Sequence, residues 1–276
     1  MIDLNPDPIN AETLKLLLSR HGVRPRRHWG QNFLVSESMR KKMLAEADIS
    51  PEDTVLEIGG GAGALSVTLA THAKRLVVVE RDPSLCDILQ EVLAPFQNTE
   101  ILCVDAREFN PSTLGTQPYT LVSNLPYSVG LPILRHLLES PYPPKDCFVM
   151  LQREVADRLS AEPPNLSLAG ATMQVLADVQ RLFVIPKEAT WPVPDVDSAW
   201  LQITPRAEVS PEEREELFSV MKKGFAHPRK RVLASFSRTP EGQNALSKSC
   251  AIPFNARPAE LTREQWQRIA NNMSPR

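Results

Sequence analysis

Thr54-Val55-Leu56-Glu57-Ile58-Gly59-Gly60-Gly61-Ala62-Gly63 is an apolar, β-branched run carrying one acid that breaks into glycines. Ala64-Leu65-Ser66-Val67-Thr68-Leu69-Ala70 follows with helical character, so the stretch reads as strand, tight loop and helix start. Glycines there allow positive φ and let a ligand lie directly on the main chain. The helix behind them presents free N–H groups and a positive dipole end. The spacing is G-x-G-x-G, not the G-x-G-x-x-G of a dinucleotide pyrophosphate site. Glu57, two residues before Gly59, would repel a phosphate. A ligand with a cationic or neutral centre fits better, and S-adenosylmethionine is the candidate.

Outward from this loop, apolar runs that end in polar residues recur. Arg75-Leu76-Val77-Val78-Val79-Glu80, Glu100 to Val104 before Asp105, Tyr119 to Ser123 before Asn124, and Cys147 to Leu151 read as strands. Continuous apolar runs suit parallel strands covered on both faces. Leu85, Ile88, Leu89, Val92 and Leu93 keep helical spacing between two of them. The alternation predicts an α/β, Rossmann-like doubly wound sheet. Val179 to Ile185 and Ser198 to Ile203 read as a final antiparallel pair, joined by the Pro-rich segment 186–194. Ser210 and Pro211 then open a helix with Leu217, Val220, Met221 and Phe225 as its stripe. The domains expected are 1–206, the ligand-binding sheet with a basic N-terminal arm, and 207–276, a small helical domain.

Ligands of such sheets bind at the carboxyl ends of the strands, where Glu57, Glu80, Asp105 and Asn124 fall. Glu80 lies 21 residues after Gly59, the distance at which an acid takes both ribose hydroxyls. Asp105, one strand end further, can accept from an adenine amino group. In Asn124-Leu125-Pro126-Tyr127 the proline restricts the backbone, so that the Asn oxygen and the Leu125 carbonyl can accept from an exocyclic amine. Tyr127 offers a face to a base. Methyl transfer from a sulfonium to a nitrogen demands orientation more than a strong base.

Bulk properties bound the partners. Of 276 residues 42% are hydrophobic and 23% charged, ordinary for a soluble globular protein. No run approaches a membrane span and the first residues lack a signal-peptide pattern, so the expected location is cytoplasmic and the expected state a monomer. Cys86, Cys103, Cys147 and Cys250 contain no C-x-x-C pair and read as reduced thiols; no metal site is expected. Net charge is −2, yet residues 13–36 hold no acid while supplying Lys15, Arg20, Arg24, Arg26 and Arg27 beside His21, His28 and Trp29. Lys222, Lys223, Arg229, Lys230 and Arg231 form a second cluster. Two basic segments around a neutral core point to an anionic polymer.

Together, Gly30-Gln31-Asn32-Phe33-Leu34, Glu-x-Gly-x-Gly, Asn-Leu-Pro-Tyr, Gln152 to Leu159 and Pro194 to Ala199 resemble the ribosomal RNA adenine N6,N6-dimethyltransferases, the bacterial small-subunit type above all. The resemblance runs from about His21 to Ile203. It implies that Asn32, Leu34, Gly59, Gly61 and Asn124 hold S-adenosylmethionine, with Glu80 on the ribose and Asp105 on the adenine. Asn124, Leu125, Pro126 and Tyr127 would be catalytic, binding the target amine and stacking its base. The reaction implied is dimethylation of two adjacent adenosines in the 3′-terminal hairpin loop of 16S rRNA, on a 30S assembly intermediate. Three features depart from the family. Its usual Phe before x-Pro-x-Pro is Thr190 here, leaving Trp191 to stack the base. Its Arg-Arg-Lys run followed by Asn is here Arg229, Lys230 and Arg231, then Ala234, and the pI is near 6.2. Competing readings are a 23S rRNA adenine methylase, a non-catalytic assembly factor of the same fold, and an NAD-dependent oxidoreductase.

Overall fold

The computed structural model describes residues 7–26, 29–115, 118–206 and 210–273. Arg27 and His28 of the basic arm, and residues 207–209 at the expected domain boundary, lie outside them.

The quoted stretch forms β2 (Thr54–Ile58), and the other apolar runs form β3 (Arg75–Glu80), β4 (Thr99–Cys103), β5 (Tyr119–Asn124) and β6 (Asp146–Gln152). With β7 (Ala177–Ile185) and β9 (Ser198–Pro205) they make a seven-stranded sheet of order β4-β3-β2-β5-β6-β9-β7. β2 through β6 pair in parallel. The two runs expected to pair last are neighbours at one edge of the sheet, with β9 between β6 and β7, antiparallel to β6, and Met150 opposite Trp200. A two-stranded ribbon joins β1 (Phe33–Leu34) and β8 (Thr190–Trp191), Phe33 opposite Trp191. Strands of two residues carry no periodicity by which a sequence could announce them.

The strands are apolar because helices cover the sheet. Val55, Leu76, Val78, Val122 and Met150 are buried with Met43 of α2 (Glu37–Ala47), Leu69 of α3 (Ser66–His72) and Leu89 of α4 (Pro83–Leu93). Helix starts follow the expected chemistry. Asn10 caps α1 (Ala11–Arg20) through Thr13 N–H, and Asp82 caps α4 with Pro83 at its first position.

The chain divides into two compact units. The first runs to Ala156 and resumes over Gln180–Pro205; the second joins Asp157–Val179 to Arg206 and beyond. The small domain thus draws in α7 (Leu168–Leu176), which the sequence boundary at 206/207 left with the sheet. Ala171 and Val175 of α7 share a core with Leu217 and Met221 of α8 (Pro211–Phe225) and with Trp266 and Ile269 of α10 (Arg263–Met273). Ser210 closes a capping box with Glu213 at the start of α8.

Candidate active site

The carboxyl ends of β2, β3 and β5 open on one cleft, enclosing about 870 Å³ of empty space including its mouth. Its floor is the glycine loop. Gly59 has φ of +74°, and a Cβ on it would meet the Pro126 ring at 3.4 Å, so the loop and the Asn-Leu-Pro-Tyr turn are packed against each other. Gly60 is required by space: a Cβ there would lie 2.4 Å from Val78 Cγ1.

Glu80, the last residue of β3, organises one wall. Its Oε2 accepts the Gly61 N–H at 3.0 Å, and its Oε1 accepts those of Arg81 and Asp82 at 2.7 and 2.9 Å. Burial raises its pKa against these three donors, which lower it. Glu57 is 2% exposed and takes the Ser66 hydroxyl at 2.6 Å; burial pushes its pKa up to about 8. A carboxyl that holds its proton more tightly when folded contributes stability that is full below its ordinary value of 4.5 and is lost as pH rises through 8. Glu57→Gln, neutral at every pH, should therefore flatten this fall in stability, measured as urea midpoints at pH 5 and pH 9. An unchanged slope would exclude Glu57 as its source.

Asp105 lies on the cleft wall just past β4. Arg107 holds it through Nε at 3.0 Å and Nη2 at 2.6 Å, and its own N–H adds a third bond, bringing its pKa down to about 2. Asn124 ends β5 and donates from Nδ2 to the Asn32 carbonyl at 2.9 Å. This bond turns the Asn124 oxygen away from Asn32 and orients it as an acceptor.

The structure brings Asn32, Leu34, Gly59, Gly61, Glu80, Asp105, Asn124 and Pro126 to the cleft lining. Leu125 is buried behind it. Tyr127 is off the lining; its hydroxyl bonds Ser198 at the start of β9, and burial raises its pKa. Trp191 is likewise off the lining, half-buried beside the Leu14, Leu17 and Phe33 cluster with Lys15 Nζ 5.4 Å from its ring centre. Thr190 is buried and donates to the Lys187 carbonyl. Arg229, Lys230 and Arg231 are exposed on the second unit.

Two findings lay outside the sequence reading. Trp29, on the cleft lining, is gripped between the guanidinium groups of Arg26 and Arg81, 4.3 and 4.2 Å from its ring centre. The acid-free arm is also partly paired in space: Arg20 and His21 meet Glu91 of α4, and Arg26 lies 3.7 Å from Asp82. Sequence distance hid these pairs, which span 56 to 71 residues. One expectation is corrected: Cys86 and Cys103 are not separate thiols but a disulfide, because β4 returns beside β3 and places their Cα atoms 6.0 Å apart.

The lining holds three acids, Glu57, Glu80 and Asp105, against one base, Arg81, and Glu57 keeps its proton below about pH 8. Acid groups with a single base between them oppose a pyrophosphate and suit an adenosine ligand with a cationic centre. Among the described residues no acid, His or Cys cluster could hold a metal, and no helix is long and apolar enough to cross a membrane.

The sequence profile of ribosomal RNA adenine dimethylases matches residues 22–274. The chain belongs to the ribosomal RNA adenine dimethylase family. It is 34% identical to the ribosomal RNA small subunit methyltransferase A of Streptococcus uberis, covering 93% of this chain and 94% of that one. The protein of that name from Lactococcus lactis is 33% identical, covering 94% and 93%. Among solved structures the fold is similar to the 23S rRNA methyltransferase ErmE, with TM-score 0.73 and 26% identity over 88% of this chain and 99% of that one. A dimethyladenosine transferase from Plasmodium falciparum shares the fold at TM-score 0.72 and 20% identity, over 86% and 95%. This dimethylase places Gly30 to Leu34, Glu57 to Gly61, Asn124 and Pro126 on the cleft described above.

Proposed function

We propose that this dimethylase converts two adjacent adenosines in the 3′-terminal hairpin loop of 16S rRNA to N6,N6-dimethyladenosine during small-subunit assembly. The observation carrying the reading is the Asn124 amide, held by the Asn32 carbonyl at the edge of an acid-rich cleft built on the family's motifs. The similarity to small-subunit methyltransferases across nearly the whole chain supports the substrate. The likeness to ErmE supplies the second reading, a large-subunit methylase, at lower identity. Primer extension on both rRNAs after reaction separates the two: stops at the paired adenosines of the small-subunit hairpin support the first, and stops confined to large-subunit RNA support the second. Acting on the small ribosomal subunit, the enzyme would work in the cytoplasm.

The residues fit S-adenosylmethionine. Glu80 would accept from the ribose, Asp105 from the adenine amine, and the Gly59 to Gly61 backbone with Asn32 and Leu34 would enclose the remainder. Bound there, the cofactor supplies an electrophilic methyl group. Asn124 Oδ1 and the Leu125 carbonyl would accept the two N–H bonds of the target amine, directing its lone pair at the methyl carbon. Pro126 holds that turn against Gly59. Tyr127, tethered to Ser198, would stack a base extruded from the RNA.

Arg229, Lys230 and Arg231 would neutralise RNA phosphates. Replacing all three by Ala should weaken RNA binding and lower the slope of log K against log salt by roughly 2, at about 0.7 per contact on single strands. Trp191→Ala should weaken binding with the slope unchanged. Filter binding across a salt series checks both; an unaltered slope in the triple variant would remove those cations from the interface.

A further inference from the structure

The Cys86–Cys103 bond has no part in methyl transfer, yet it brackets the residue that organises the cleft. Cys103 ends β4, the edge strand of the sheet, and stands opposite Glu80 in the β3–β4 ladder. Cys86 sits in the first turns of α4, the crossover between those strands, with its Sγ 3.6 Å from the Glu80 carbonyl oxygen. The chain neighbours of the pair, Leu85 and Val104, both line the cleft. The two residues also differ in access: Cys86 is 3% exposed, whereas Cys103 is an exposed residue. The remaining cysteines, Cys147 and Cys250, are buried and unpaired.

We propose that Cys86 and Cys103 form a thiol–disulfide exchange site, open to small thiols and disulfides, whose state sets how firmly the cleft holds its cofactor. The cofactor half of this inference rests on the methyltransferase reading above. Reduction begins at the accessible sulfur. A small-molecule thiolate attacks Cys103 Sγ, the bond to Cys86 breaks, and Cys86 leaves as a thiolate that takes a proton. A second thiol resolves the mixed disulfide on Cys103. The protein gains two electrons and two protons, and two thiols become one disulfide. The freed Cys86 thiol then has the Glu80 carbonyl as its acceptor. In the oxidised form the bond ties the edge strand, with Val104 and Asp105 following it, to the crossover helix on the far side of Glu80. In the reduced form the ladder, the Arg75–Glu100 ion pair and side-chain packing are left to hold that wall. A wall fixed in its binding conformation loses less freedom when a ligand enters, so the oxidised protein binds more tightly.

The test equilibrates the full-length protein in glutathione buffers from fully reducing to fully oxidising. Alkylation with mass spectrometry counts thiols, and calorimetry measures S-adenosylhomocysteine affinity in the same samples. The expected result is a two-electron transition confined to Cys86 and Cys103. Cys147 and Cys250 should become alkylated only after unfolding. Affinity should be roughly five-fold weaker on the reduced side, the size of a modest preorganisation effect. Cys103→Ser, at an exposed position, should bind like the reduced protein at every buffer poise. Four free thiols throughout would overturn the site. A transition with no change in affinity would overturn its coupling to the cleft. If neither form binds the nucleoside, the methyltransferase reading fails instead, and the thiol count still decides the exchange site.

Discussion

Asn124→Ala should lower kcat/KM for methyl transfer by roughly 10²–10³-fold, the cost typical of removing one preorganised polar group that acts on the reacting atoms. The side chain serves twice. Its Nδ2 binds the Asn32 carbonyl at 2.9 Å, joining the Gly30 to Leu34 segment to the end of β5, and its oxygen is thereby presented at the cleft. Alanine removes the acceptor and unties the segment. Because Glu80, Asp105 and the glycine loop are untouched, cofactor affinity should fall only several-fold. Single-turnover kinetics with calorimetry separates the two effects. A near-normal rate in the variant would remove Asn124 from the chemistry, and an equal loss of rate and affinity would reduce it to a cofactor ligand.

Glu80→Ala should have the largest combined effect on stability and binding. The Glu80 carboxylate satisfies three backbone N–H groups, those of Gly61, Arg81 and Asp82, and the residue is 6% exposed. Each orphaned buried donor costs about 1–3 kcal/mol, so a loss on the order of 3 kcal/mol is expected even if water reaches some of them. Gly61 would also lose the bond that shapes the cleft floor, and cofactor binding should become undetectable at concentrations that saturate the native protein. Glu80→Gln retains one acceptor oxygen and should recover part of the stability but little binding. Urea unfolding of the three proteins checks the order; equal midpoints would show that the loop keeps its shape without the carboxylate.

The parallel sheet was legible because its strands are continuous apolar runs, and the cleft because their polar ends fall at Glu57, Glu80, Asp105 and Asn124. Gly60 was legible only as a glycine: nothing in the sequence announces that Val78 lies where its side chain would be. Charge was legible only in part. Residues 13–36 look like an unneutralised basic arm, but folding sets Glu91 against Arg20 and His21, and Asp82 beside Arg26. The β1–β8 ribbon and the Cys86–Cys103 bond escaped for a related reason, since each depends on residues that the sheet topology brings together. The domain boundary shifted because α7, which precedes β7 in the chain, shares its buried face with α8 and α10, beyond the last strand.

The most direct test is transfer of labelled methyl groups from S-adenosylmethionine to under-methylated small ribosomal subunits, with large subunits and the Asn124→Ala protein alongside. The account predicts label recovered as N6,N6-dimethyladenosine in small-subunit RNA, absent from large-subunit RNA and lost in the variant. Cofactor binding without any transfer, or label confined to large-subunit RNA, would contradict it.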